Sequence, residues 1–144
     1  MGTIKEQVII ANPTNGSYSL EMEVIVDSGA TYTQIPSLLL DQLHIDKKYK
    51  RRLKIATGEI IERDAGEIRI TIKNETLTTL VIFGDEASEP LVGAVTLEQF
   101  SLAIDPVNKT LIPVPELMLI SKRKIELVKR DHLTNKGGKD VTNR

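Results

Sequence analysis

Apolar and polar residues alternate in two runs near the start of the chain, residues 5–11 and 18–26. In the second run Leu20, Met22, Val24 and Val26 share one face while Ser19, Glu21 and Glu23 take the other, which is the period-two mark of a half-buried strand. Between the runs lie Asn12, Pro13, Thr14, Asn15, Gly16 and Ser17, all turn formers, so the pair predicts a β-hairpin. A short extended stretch follows over residues 32–35. Pro36, with its fixed φ and missing N–H, suits the first turn of a helix that has Leu38, Leu39, Leu40 and Leu43 on its buried side and ends at His44, Ile45 and Asp46.

Residues 53–61 read as two strands meeting at Thr57 and Gly58, the second continuing past Gly66 through Ile68, Ile70 and Ile72. Another apolar strand is expected over residues 79–83. Beyond Pro113, Val114 and Pro115 the pattern changes. Residues 117–120 are apolar and predict a terminal strand or short helix. The residues after them are polar and mostly basic, with too little apolar content to order themselves. The expected organisation is one all-β domain over residues 1–115, then a terminal apolar segment and a flexible basic tail over residues 116–144.

Composition narrows the function more than it names it. A chain of 144 residues suffices for one domain with a sizeable core and is short for two. Its 40% hydrophobic and 27% charged residues indicate a soluble globular protein, and a net charge of −1 gives no overall pull toward nucleic acid or a membrane surface. With three Tyr, two Phe and no Trp there is no base-stacking platform. The absence of cysteine removes disulfides, thiolate nucleophiles and zinc-thiolate sites. Neither His44 nor His132 has a second histidine at ligand spacing, so no metal and no cofactor are expected. No apolar stretch reaches membrane-spanning length. The first residues carry no basic segment followed by an apolar run, so a cytoplasmic location is expected.

The candidate chemistry lies where the second strand ends. Asp27 is followed by Ser28, Gly29, Ala30 and Thr31. A carboxylate fixed at a crowded site needs donors, and backbone N–H groups approach closely only where little or no Cβ intervenes, as at Gly29 and nearly so at Ala30. Ser28 adds a hydroxyl that both gives and accepts. The same tripeptide also makes an ordinary turn, since Asp and Ser bond locally to backbone and Gly tolerates positive φ.

Residues 27–31 resemble the active-site loop of the retroviral-type aspartic proteases, the retropepsins, and their cellular relatives. Leu91, Val92 and Gly93 are similar to the family's apolar-apolar-glycine segment, which packs beneath the catalytic loop and leads into a short helix. Ala56, Thr57 and Gly58 correspond to the tip of the flap hairpin, where small residues let a substrate backbone pass. The family's order of parts can be laid along residues 4–114. Residues 102–106 are more similar to bacterial and archaeal members than to viral ones. The chain departs from the viral pattern at Ala94 and Val95, where viral members commonly carry Arg followed by Asn or Asp.

The resemblance implies an all-β, retropepsin-like single-lobe acid protease fold with one or two short helices, and an aspartic endopeptidase with Asp27 as its catalytic residue. Ser28, Gly29, Ala30 and Thr31 would support the loop. Such chemistry needs two carboxylates sharing one proton. Asp-Ser-Gly occurs once in this chain, and Asp105 is followed by Pro106, which has no backbone donor. A second Asp27 must then come from another copy, giving a homodimer with the site on its twofold axis. The expected partner is a peptide or unfolded protein, bound extended beneath the flap; the resemblance adds a preference for apolar side chains around the cut bond. Two other readings stand beside this one: a dimeric module of the same fold that only binds peptide, and an unrelated small β protein in which Asp27 is a turn residue.

Overall fold

The computed structural model describes residues 4–120 and residue 126. Among them are nine strands and two short helices: β1 (Ile4–Ala11), β2 (Ser19–Val26), β3 (Thr33–Pro36), α1 (Ser37–Gln42), β4 (Tyr49–Lys54), β5 (Ile60–Ile72), β6 (Glu75–Gly84), β7 (Leu91–Val92), α2 (Ala94–Gln99), β8 (Leu102–Asp105) and β9 (Thr110–Pro113). The fold is all-β with two short helices, as the alternating pattern predicts.

Seven strands form one sheet in the order β1-β2-β7-β3-β6-β5-β4, and β1 also pairs with β5 through Ile10 opposite Ile70. The sheet therefore closes on itself, with β4 attached to the outer half of β5. Inside this ring lie Val8, Ile10, Val24, Val26, Ile35, Ile68, Ile70, Val81 and Val92, all buried. Each such side chain contributes about 1.5–3 kcal/mol relative to an exposed one. The register keeps each apolar set on the inner face, with Ile4 opposite Val26 and Val8 opposite Met22. β8 and β9 form a separate hairpin beside α2.

Two turns show how local chemistry fixes this register. Lys73 (φ 48°) and Asn74 (φ 74°) form a two-residue loop between the paired Ile72 and Glu75, and left-handed φ at both positions matches the twist of the flanking strands. In the β1–β2 turn the buried Asn12 does more than bend the chain. Its Oδ1 accepts from the Thr14 N–H (2.8 Å), the Thr14 hydroxyl (2.9 Å) and the Asn15 N–H (3.1 Å). Its Nδ2 donates to the carbonyls of Leu43 and His44, both at 2.9 Å, tying the hairpin to the end of α1. His44 ends that helix with a left-handed φ of 57°.

The structure corrects two expectations. Leu38 is 57% exposed rather than on the buried side of α1. A helix of six residues presents only one narrow stripe to the core. Leu40 and Leu43, three residues apart, take it with Leu39 beside them, and Leu38 lies two residues or about 200° away from Leu40. Residues 117–120 form neither strand nor helix. Pro113 ends β9, and Pro115 has no N–H with which to extend the pairing. The rest of the basic tail, apart from Glu126, lies outside the described residues.

Candidate active site

Strand β2, flanked by β1 on one side and β7 on the other, delivers Asp27 at its C-terminal end. Its last residues pair in parallel with β7, Ile25 with Leu91 and Val26 with Val92. The Asp27 N–H then donates to the Val92 carbonyl at 3.0 Å, so the backbone of the residue is fixed from below before its side chain is considered. The Asp27 Oδ1 accepts the Gly29 N–H at 2.8 Å, and the Ala30 N–H closes the turn onto the Asp27 carbonyl at 3.2 Å. Asp27 is half-buried, while Ser28, Gly29 and Thr31 are exposed. Within the described residues no hydrogen bond occupies the Ser28 hydroxyl.

The segment after β7 locks against this loop. The Ala94 N–H donates to the Ala30 carbonyl (2.7 Å) and the Val95 N–H to the Thr31 carbonyl (2.9 Å), so the first donors of α2, which have no partner inside the helix, are satisfied by the loop. Gly93 makes that approach possible: a Cβ there would lie 2.6 Å from the Tyr32 carbonyl oxygen and 2.8 Å from that of Ala30. Val92 and Gly93 thus sit directly against residues 27–32, while Leu91 pairs with Ile25 and Gln34 on either side of the loop.

A buried hydroxyl chain underlies the junction, and its direction follows from counting protons. The Thr79 hydroxyl donates to Gln99 Oε1 at 2.6 Å, while Gln99 Nε2 donates to the Thr78 carbonyl at 3.2 Å, which fixes the amide. Thr79 therefore accepts from the Thr96 hydroxyl at 2.8 Å, and Thr96 in turn accepts from the Thr33 hydroxyl at 2.6 Å. Thr33 Oγ1 remains free to accept the Gly93 N–H at 3.3 Å. Thr33, Thr79 and Thr96 are all buried, and each gives its one proton to the next group. Sequence reasoning missed these residues. The available signal was a hydroxyl at an inward position of an apolar strand, as with Thr79 between Leu77 and Val81.

The Asp27 loop stands between two concavities. On one side a cleft of about 610 Å³ runs between Gly29, Ala30, Thr31 and Tyr32 and the β4–β5 hairpin, which lines it with the apolar Leu53, Ile55 and Ile61 and the charged Arg52, Lys54 and Arg63. The other side holds a smaller hollow of about 390 Å³, lined by Ser28, Ala94, Leu97, Leu102, Ile104 and Pro106 among others. At one end of the cleft Arg63 on β5 pairs with Asp85 on the β6–β7 loop at 3.3 Å. Ala56, Thr57 and Gly58 form the exposed tip of the hairpin, where Gly58 takes a φ of 92°, and they do not line this cleft. The walls are the residues nearer the base of the hairpin.

Asp105 occupies a different kind of turn. Its Oδ1 accepts from the backbone N–H groups of Val107 (3.0 Å) and Asn108 (3.3 Å), and its Oδ2 from Asn108 Nδ2 (2.9 Å). The Asn108 side chain first, and the two backbone donors after it, hold its carboxyl below the ordinary value of 3.8. Among the described residues no group of three or more His, Cys, Asp or Glu could hold a metal ion. No described helix is long and apolar enough to cross a membrane.

No protein-family model matches the sequence, and no curated protein matches it. Among solved structures, the chain is similar to the solution structure of the simian foamy virus (mac) protease, at 16% identity over 67% of this chain and 93% of that one, with a TM-score of 0.49. It is also similar to the EIAV protease complexed with the inhibitor HBY-793, at 18% identity over 69% of this chain and 88% of that one, with a TM-score of 0.46.

Proposed function

We propose that the protein is an aspartic endopeptidase whose active site is completed by a second copy of the chain. The observation that carries this reading is the placement of Asp27: a half-buried carboxylate at a strand end, held by the Gly29 N–H at 2.8 Å, on a loop whose residues 29–32 line a cleft of mixed polar and apolar character. A lone carboxylate cannot be both base and acid in one step. Two Asp27 side chains meeting across a twofold axis can, because the ionised one takes a proton from water while the protonated one polarises the peptide carbonyl. The tetrahedral intermediate then collapses as a proton passes to the leaving amine.

Exposure of Ser28 suits such an axis, since its hydroxyl is available to the partner's loop. The substrate is an extended peptide lying between residues 29–32 and the β4–β5 hairpin, its side chains against Leu53, Ile55 and Ile61. Incubation with an unfolded protein over about pH 3–7 tests the reading, and a bell-shaped profile is expected because the pair works only while it holds one proton. Peptide binding without hydrolysis at any pH would make the cleft a recognition groove instead.

A further inference from the structure

The cleft beside the Asp27 loop carries more positive charge than its own carboxylates neutralise. Arg52, Lys54 and Arg63 line it, and among the described residues Asp85 is the one acidic residue that does. Asp85 is committed to Arg63, whose Nη2 lies 3.3 Å from both of its oxygens. Further from the hairpin tip each lysine has an acid of its own: Lys50 and Lys47 meet Asp64 at 2.8 and 4.0 Å, and Lys48 meets Glu67 at 3.6 Å. Arg52 and Lys54 differ. Among the described residues neither makes an ion pair; Glu62 stands opposite Arg52 in the register without bonding to it, and Lys54 faces Ile60.

These two cations sit on an open edge. β4 is the last strand of its sheet and among the described residues pairs with β5 alone, so its other side is free to take a further strand. Charge on an open edge discourages pairing with most strands. The exception is a strand whose side chains at those positions are acidic, because opposite charges attract across a strand pair. Along β4 and the residue after it, Leu53 and Ile55 point to one face and Arg52 and Lys54 to the other. Arg52 and Lys54 are alternate residues, about 7 Å apart along the strand, which is also the spacing of alternate side chains in an extended peptide.

We propose that the cleft selects extended peptides in which acidic side chains alternate with apolar ones around the cut bond, Arg52 and Lys54 recognising the acidic positions and Leu53 and Ile55 the apolar ones; the inference rests on the endopeptidase reading. In a twofold site each copy brings its own β4, so both halves of the substrate lie along such an edge.

Two peptides of equal length test this with the full chain. Both carry an apolar pair at the centre and an apolar residue at every second flanking position; the remaining flanking positions are Glu in one and Gln in the other. At about pH 5.5, above the ordinary Glu value of about 4.3, the Glu side chains are ionised. At low salt the wild-type chain should cut the Glu peptide with a kcat/KM about three- to tenfold higher, through a lower KM, and the preference should fade as salt is raised. In the double variant Arg52→Gln with Lys54→Gln the ratio between the peptides should fall to about one. A general loss of activity cannot mimic that result, because the ratio is taken within one preparation. Arg52→Glu with Lys54→Glu should instead favour a third peptide with Lys at the same positions. Equal rates of the wild-type chain on the Glu and Gln peptides overturn the selectivity and leave the endopeptidase standing. A preference that persists in the double Gln variant, or one that salt does not weaken, also overturns it. Hydrolysis of neither peptide nor of an unfolded protein removes the endopeptidase reading and this inference with it.

Discussion

Asp27 and Asp105 each stand at the end of a β-strand, and each bends the chain behind it, yet the two carboxylates are held in opposite ways. Three donors close on Asp105, the N–H groups of Val107 and Asn108 and the Asn108 side-chain amide, so both oxygens are engaged in bracing a surface hairpin. Among the described residues Asp27 receives one donor, the Gly29 N–H, and its backbone is fixed instead from outside the turn by Val92. A carboxylate whose oxygens are saturated locally is a structural brace. One whose main chain is clamped while its side chain keeps spare acceptor capacity is what the proposed chemistry requires of Asp27.

Substitution should separate the two most widely. Asp27→Asn preserves shape and removes the proton-transfer capacity, so hydrolysis should fall by on the order of 10²–10⁴-fold. The equivalent Asp105→Asn should leave the rate unchanged, measured as kcat on the same unfolded substrate. Equal losses at both positions would erase the distinction.

The clamp from outside is the next point to break. Gly93→Ala forces a Cβ against the carbonyls of Ala30 and Tyr32, and the α2 donors to the loop must shift with it. A stability loss of about 1–3 kcal/mol in urea unfolding is expected, with a larger fall in activity than in peptide affinity. Wild-type activity in this variant would show that the loop does not depend on its support.

The brace should reveal itself through acid. Because the carboxyl of Asp105 is held below its ordinary value of 3.8 in the folded chain, its contribution to stability is present above that value and is lost as pH falls through the lower folded one. Amide exchange at Val107 and Asn108 should therefore accelerate only at the acid end of that window, and Asp105→Asn should remove the pH dependence. The effect is small, since the group is exposed to solvent.

Most of the framework was legible because period-two alternation and turn residues are local signals: β1 and β2, the hairpin tip at Thr57 and Gly58, and the long β5 through Ile72 all follow from them. The residues that missed did so for non-local reasons. Asn12 looks like any turn former until the end of α1 is brought beside it, and the Thr33–Thr96–Thr79 chain joins positions up to 63 residues apart. Leu38 misled because a run of three leucines has no periodicity to say which one a six-residue helix exposes. At the cleft, small residues marked the hairpin tip, but the lining by Leu53, Ile55 and Ile61 depends on how the hairpin faces the loop, which no local pattern records.

The central claim, one site built from two Asp27 residues, is tested most directly by mixing. Wild-type and Asp27→Asn chains carrying different tags are combined in equal amounts and allowed to exchange subunits, with exchange verified by co-purification of the two tags. Random pairing leaves about a quarter of the dimers with two Asp27 carboxylates, so activity per total protein should settle at about a quarter of the wild-type value. A value of about one half, the result for independent sites, would contradict it.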